Sequence, residues 1–94
     1  MTGIQTPNQN GQQLGPVVWI LSKGERHEGG DILGVFADKD LGRGQFVLAA
    51  QDIHRSFGID DIREDEHGAV HLEGGCDWLS LEPYTVTTTA QINA

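Results

Sequence analysis

The sequence predicts an α+β domain, a small antiparallel sheet in ββαββ order with one helix packed on one face. Three observations predict it. Residues 16–21 (PVVWIL) and 32–37 (ILGVFA) are apolar runs with the length and the β-branched and aromatic content of strands. Phe46, Ala49, Ala50, Ile53 and Phe57 recur at spacings of three and four, the period of one helical face. Residues 69–73 and 77–86 then read as two more strands around a Gly74-Gly75 turn, and Val70-His71-Leu72-Glu73 alternates as a half-buried strand does.

Each element has its own local reasons. Pro16 suits the first position of a strand, where its missing N–H breaks no ladder. The polar, glycine-bearing stretch 22–31 (SKGERHEGGD) reads as a loop, which makes the first two strands a long-looped hairpin. Asp38 is the expected N-cap of the helix, and Asp40 complements the positive end of its dipole. Gly42 and Gly44 each cost about 1 kcal/mol relative to alanine inside a helix. They place the regular start nearer Arg43, with a turn before it. Gly58 suits the C′ position that closes a helix. Residues 59–68 (IDDIREDEHG) read as an acidic connection, and Pro83 assigns the last strand to an edge or a bulge.

The chain has 94 residues, below the ~100–150 common for one domain, so it holds a single core. Residues 1–15 are rich in Gln, Asn and Gly, and too apolar-poor to offset the entropy of ordering them. The expected organisation is a disordered tail over 1–15, a folded domain over 16–87 and a flexible tail over 88–94. Fourteen acidic residues against six basic ones give a net charge of −8. That balance disfavours direct nucleic-acid binding, which needs cations to replace counterions, and docking on an anionic membrane. It suits a partner with a basic surface. Cys76 is the single cysteine, so no internal disulfide forms. With no visible signal peptide and no apolar run near the ~20 residues of a membrane span, a cytoplasmic location is expected.

The stretch VVWILSKGERHEGGDILGVFADKDL, with the later DWLSLEPYTV, resembles small actinobacterial domains of unknown function. Those open with a Trp-bearing strand, a glycine-rich acidic loop and a strand ending in Gly-Val-Phe, followed by a helix. The likeness spans residues 17–86, and its motifs are structural. It implies the ββαβ-type fold and no catalytic residue. GRGQF departs from the alanine-rich helix start of those domains.

No motif points to catalysis, a cofactor or a metal. His67 and His71 have H-x-x-x-H spacing, but Gly68 breaks any helix there, and on a strand such residues lie roughly 13 Å apart. That is too far to share a zinc ion at bonds of about 2.1 Å. Gly42-Arg-Gly44 lacks the third glycine of a dinucleotide loop, and Asp38 and Asp40 would repel phosphate. Cys76 has no cationic sequence neighbour to activate it as a nucleophile.

The informative feature is apolar excess. Val17, Trp19 and Leu21 point to one face of the first strand, while Val18 and Ile20 point to the other. Ile32 and Phe36 likewise oppose Leu33 and Val35. One helix covers one face, so a second copy, another protein or the chain's own C-terminal segment must cover the other. The expected function is therefore non-enzymatic protein–protein contact by an adaptor or regulatory domain. Val18 and Trp19, with the acidic Asp60, Asp61, Glu64, Asp65 and Glu66, are the candidate partner-binding residues, and self-association into a dimer is an expected mode. Two further readings are an acidic inhibitor imitating the charge of nucleic acid, and a metal- or ligand-binding domain using the histidines.

Overall fold

The computed structural model describes residues 14–87. Of the expected tails, 1–15 and 88–94, all but Leu14 and Gly15 lie outside the described residues, and those two belong to a strand. Six elements follow in order: β1 (Leu14–Glu25), β2 (Gly29–Phe36), α1 (Lys39–Phe57), β3 (Asp61–Glu64), β4 (Val70–Gly74) and β5 (Asp77–Thr87). The α+β class holds, with α1 packed against one face of an antiparallel sheet. The sheet has five strands rather than four, in the order β2-β1-β5-β4-β3.

The added strand is β3, inside the segment expected to be an acidic connection. Its four residues pair antiparallel with β4, from Asp61↔Glu73 to Glu64↔Val70. Charged residues are no obstacle at a sheet edge, where both side chains and one backbone side meet water. The first hairpin is also corrected. β1 begins at Leu14, two residues ahead of the expected start, and runs on to Glu25, so only Arg26, His27 and Glu28 lie between it and β2. The polar stretch forms ladder because Gly24 and Gly30 pair across it and the Trp78 ring covers both.

β5 is not an edge strand, although Pro83 suggested one. It lies between β1 and β4, but its ladder with β4 stops at the Val70↔Leu81 pair. Pro83 therefore sits where β5 has one neighbour only. The long β1–β5 pairing places these two strands at the sheet centre, so residues 78–87 lie within the sheet and do not fold across it.

α1 starts at Lys39, not near Arg43. Asp38 is extended at φ −119 and its Oδ1 accepts a hydrogen bond from the Asp40 N–H at 2.7 Å, which satisfies one donor of the first turn. Gly42 lies inside this helix for a packing reason: a Cβ there would come 3.1 Å from Leu81 Cδ1 and 3.4 Å from Trp19 Cβ. The missing side chain lets the helix approach the sheet. Gly58 closes α1 at φ 77.

The core lies between α1 and the sheet. Phe46 and Ile53 from the helix meet Trp19, Leu21, Val70, Leu72, Leu79 and Leu81, with Phe36, Ala49 and Ala50 packed around them. Leu72, Leu79 and Leu81 are fully buried. Phe57, the last residue of the predicted stripe, runs past this core and lies over Gly75. No helix of the described residues is long and apolar enough to cross a membrane.

Candidate functional site

Strand register sets side chains in rows across the face that α1 leaves open, because residues paired across a ladder share a face. One row reads Val35, Ile20, Glu82. The next reads Ile32, Ser22, Ser80, His71, Arg63, and the last Gly30, Gly24, Trp78, Glu73, Asp61. Val18 and Tyr84 pair at the other end. The result is an apolar corner on β1 and β2, an aromatic centre, and a charged flank on β4 and β5.

A bulge builds the apolar corner. Leu21 pairs with Gly34 but Ser22 pairs with Ile32, so Leu33 is the extra residue. Strict alternation put Ile32 with Phe36, facing away from Val35. The bulge reverses that parity and turns Ile32 to the open face beside Val35.

Trp78 anchors the centre. A Cβ on Gly24 or on Gly30 would each meet the indole Cζ2 at 2.6 Å, so the ring lies flat on these two glycines. An aromatic ring laid across cross-strand glycines restores the packing that the glycines lack. The His71 ring stacks beside it, with centroids 6.4 Å apart and planes 15° from parallel. His71 Nε2 lies 3.2 Å from Glu73 Oε2, and Arg26 Nη2 donates to Glu73 Oε1 at 2.9 Å. The His71 hydrogen bond, then the Arg26 charge, hold the Glu73 carboxyl below its ordinary range. The Tyr84 hydroxyl donates to Glu82 Oε1 at 2.8 Å, and that bond raises the Tyr84 pKa.

Together Ser22, His71, Glu73, Trp78, Ser80, Glu82 and Tyr84 line a shallow basin of about 390 Å³. Such a basin offers an aromatic platform beside the Glu82 carboxylate, whose charge no cation among the described residues neutralises, the chemistry that receives a cationic side chain. Glu73 is already paired with Arg26. Ser80 faces His71 across the ladder, but among the described residues no hydrogen bond joins them, and no Ser–His–Glu relay is assembled. Among the described residues no group of three or more His, Cys, Asp or Glu side chains is placed to hold a metal ion. A second hollow of about 450 Å³ beside the β1–β2 turn is lined by glycine backbone, charged side chains and Leu33, without an aromatic or a histidine.

The residues singled out from sequence are spread over the molecule. Val18 is half-buried on the open face, whereas Trp19 is 8 % exposed on the opposite one, beneath α1, with Lys39 Nζ 5.5 Å from its ring centroid. Trp19 is a core residue. The acidic segment is occupied locally. Asp60 Oδ2 accepts from the Gly75 N–H at 3.0 Å, Asp61 pairs with Arg63 at 2.8 Å, and Glu64 pairs with Arg43 at 3.2 Å. Asp65 Oδ1 accepts from the N–H groups of His67 and Ala69 at 2.8 and 3.0 Å, which builds the β3–β4 turn. Glu66 Oε2 lies 3.4 Å from His67 Nε2. Glu73, Trp78, Glu82 and Tyr84 were not among the candidates, and His71 was one only for a metal- or ligand-binding reading. Their signal was present as polar and aromatic residues at every second position of HLE and WLSLEPY, the outward half of each strand.

The two depressed carboxylates set an expected acid response. Backbone hydrogen bonds from His67 and Ala69 lower the Asp65 pKa, as His71 and Arg26 lower that of Glu73. A depressed folded-state pKa contributes stability above the unfolded value that is lost as pH falls through the folded one. The wild type is therefore expected to lose stability progressively below about pH 4. Asp65→Asn should melt lower than the wild type at neutral pH, and the gap should close in acid, as read by thermal melts across pH. A gap that stays constant down to pH 2 would show that the carboxylate charge contributes nothing.

No protein-family model, no curated protein and no solved structure matches the chain.

Proposed function

We propose that this is a non-enzymatic protein-interaction domain that binds a partner through the open face of its sheet. The observation that supports it is that face itself: Ile32, Val35 and Tyr84 are exposed, Val18, Ile20 and Trp78 are half-buried beside them, and Glu73 and Glu82 lie alongside. A solvated sheet face ordinarily carries polar side chains, and a contiguous apolar patch rimmed by charge marks an interaction surface. The partner's complementary surface is apolar with basic side chains, in keeping with the net charge of −8. The lone Cys76 suits a reducing, cytoplasmic setting.

The charge-imitating inhibitor receives less support from the geometry. Such a decoy needs a regular array of free carboxylates, whereas Asp61, Glu64 and Asp65 are spent on Arg63, Arg43 and a turn.

The reading is tested by selecting peptides from a displayed library on the wild type and on Val18→Glu and Trp78→Ala variants. The expected peptides combine apolar and basic residues, lose affinity as ionic strength rises, and fail on both variants. Enrichment of the same peptides by all three proteins would overturn the assignment of the open face.

A further inference from the structure

We propose that the outer edge of β2 pairs with β2 of a second copy of this chain, joining two sheets antiparallel about a two-fold axis. This goes beyond the open-face reading, because it assigns the edge of the sheet rather than its face.

The two edges of the sheet are built differently. β3 is four residues long and carries Asp61, Arg63 and Glu64. Short length and charge are how proteins protect an edge from pairing with another chain. β2 is eight residues long, and from Ile32 to Phe36 it carries no charge. Ile32, Leu33 and Val35 are 62, 51 and 57 % exposed. As the outermost strand it has β1 as its only ladder neighbour among the described residues, so alternate residues turn N–H and C=O groups outward. An unpaired row of backbone donors and acceptors with apolar side chains beside it accepts a strand.

Charge selects a second copy as that strand. From Ile32 to Phe36 the β2 edge offers no acidic group to a basic partner. The same stretch of a second copy supplies an uncharged, apolar segment of matching length. Antiparallel pairing centred between residues 33 and 34 sets each Asp31 opposite Phe36 of the other copy, so no two carboxylates face each other directly across the seam. The sequence of residues 1–13 offers no apolar segment to match, Met1 and Ile4 being its only large apolar residues.

Area is consistent with a weak, reversible dimer. Fully burying an aliphatic side chain removes on the order of 100 Å² from water, so Ile32, Leu33 and Val35 contribute about 350 Å² across two copies. That is well under the ~1,000 Å² expected of a stable specific interface, so the dimer is weak and reversible. The bulge at Leu33 confines regular pairing to the residues around it, which again favours modest affinity.

Ionic strength separates this proposal from the open-face reading. Two chains of charge −8 repel, so salt should strengthen the dimer, whereas it should weaken binding of a basic partner. Sedimentation velocity of the full chain across concentration and salt is the test, with Leu33→Pro and Val35→Lys as variants. The expected result is a concentration-dependent dimer whose dissociation constant falls several-fold from low to high salt and rises at least tenfold in both variants. Far-ultraviolet dichroism checks that the variants fold, and Val35→Lys, at an exposed site, keeps the test valid where the proline does not. Wild type that stays monomeric at high salt and high concentration would overturn the proposal. So would a dimer unchanged by Val35→Lys, or one abolished instead by Trp78→Ala.

Discussion

Alanine at Gly74 is expected to lower the unfolding midpoint well below that of the wild type, while alanine at Gly44 raises it. Gly74 is buried at the end of β4, and a Cβ there would stand 2.6 Å from Ile53 Cγ2 and closer still to the Gly58 carbonyl. The carbonyl belongs to the chain leaving α1 and is not free to retreat, and Ile53 is 1 % exposed in the middle of the core. Overpacking of this kind costs about 1–3 kcal/mol or more. A folded unit of ~70 residues holds only about 4–10 kcal/mol in total. The added methyl must therefore separate the end of α1 from β4. Gly44 has open space where its Cβ would lie, so Gly44→Ala brings only the helical preference of alanine, about 1 kcal/mol. Urea denaturation of both variants beside the wild type checks this. Equal midpoints for Gly74→Ala and the wild type would show that α1 does not approach the sheet this closely.

This contrast bears on how far the sequence could be read. The helix stripe, its Asp38 cap and its Gly58 stop were legible because they depend on neighbours within a turn or two. So was the alternation that put Trp19 and Leu21 on one face and Val18 and Ile20 on the other. Gly42 was misread as a helix breaker because its reason lies some forty residues away in Leu81. The strand β3 was invisible because Asp-Ile-Arg-Glu has no strand signature, and pairing with β4 alone makes it one. Strand order is non-local in the same way: Pro83 argued correctly about its own residue and incorrectly about the whole of β5. The basin was half legible. HLE and WLSLEPY reveal outward residues, but only the pairing of Ser80 with His71 and of Trp78 with Glu73 brings the two strands' residues into one place.

The two candidate residues that sit side by side in the sequence, Val18 and Trp19, should separate folding from binding. Trp19 pairs with Phe36 and Pro83 on the face beneath α1 and is 8 % exposed. Trp19→Glu deletes one of the largest core side chains and buries a carboxylate with no cation in the core around it. Lys39, whose Nζ lies over the ring at the surface, would have to draw the charge outward and open the core to water. Removing a core tryptophan costs about 3–5 kcal/mol before any charge is buried, comparable to the whole stability of a domain this size. Loss of the native dichroism and of cooperative melting is the expected outcome. Val18 pairs with Tyr84 on the open face, where a carboxylate reaches water without crossing the core. Val18→Glu should keep the wild-type spectrum, shift stability by less than about 1 kcal/mol, and lose binding of apolar-basic peptides. Dichroism, thermal melts and peptide titration on the two variants read both properties. A Val18→Glu protein that unfolds like Trp19→Glu would show that the open face is covered in solution by the chain itself, and the interaction surface would then have to lie elsewhere.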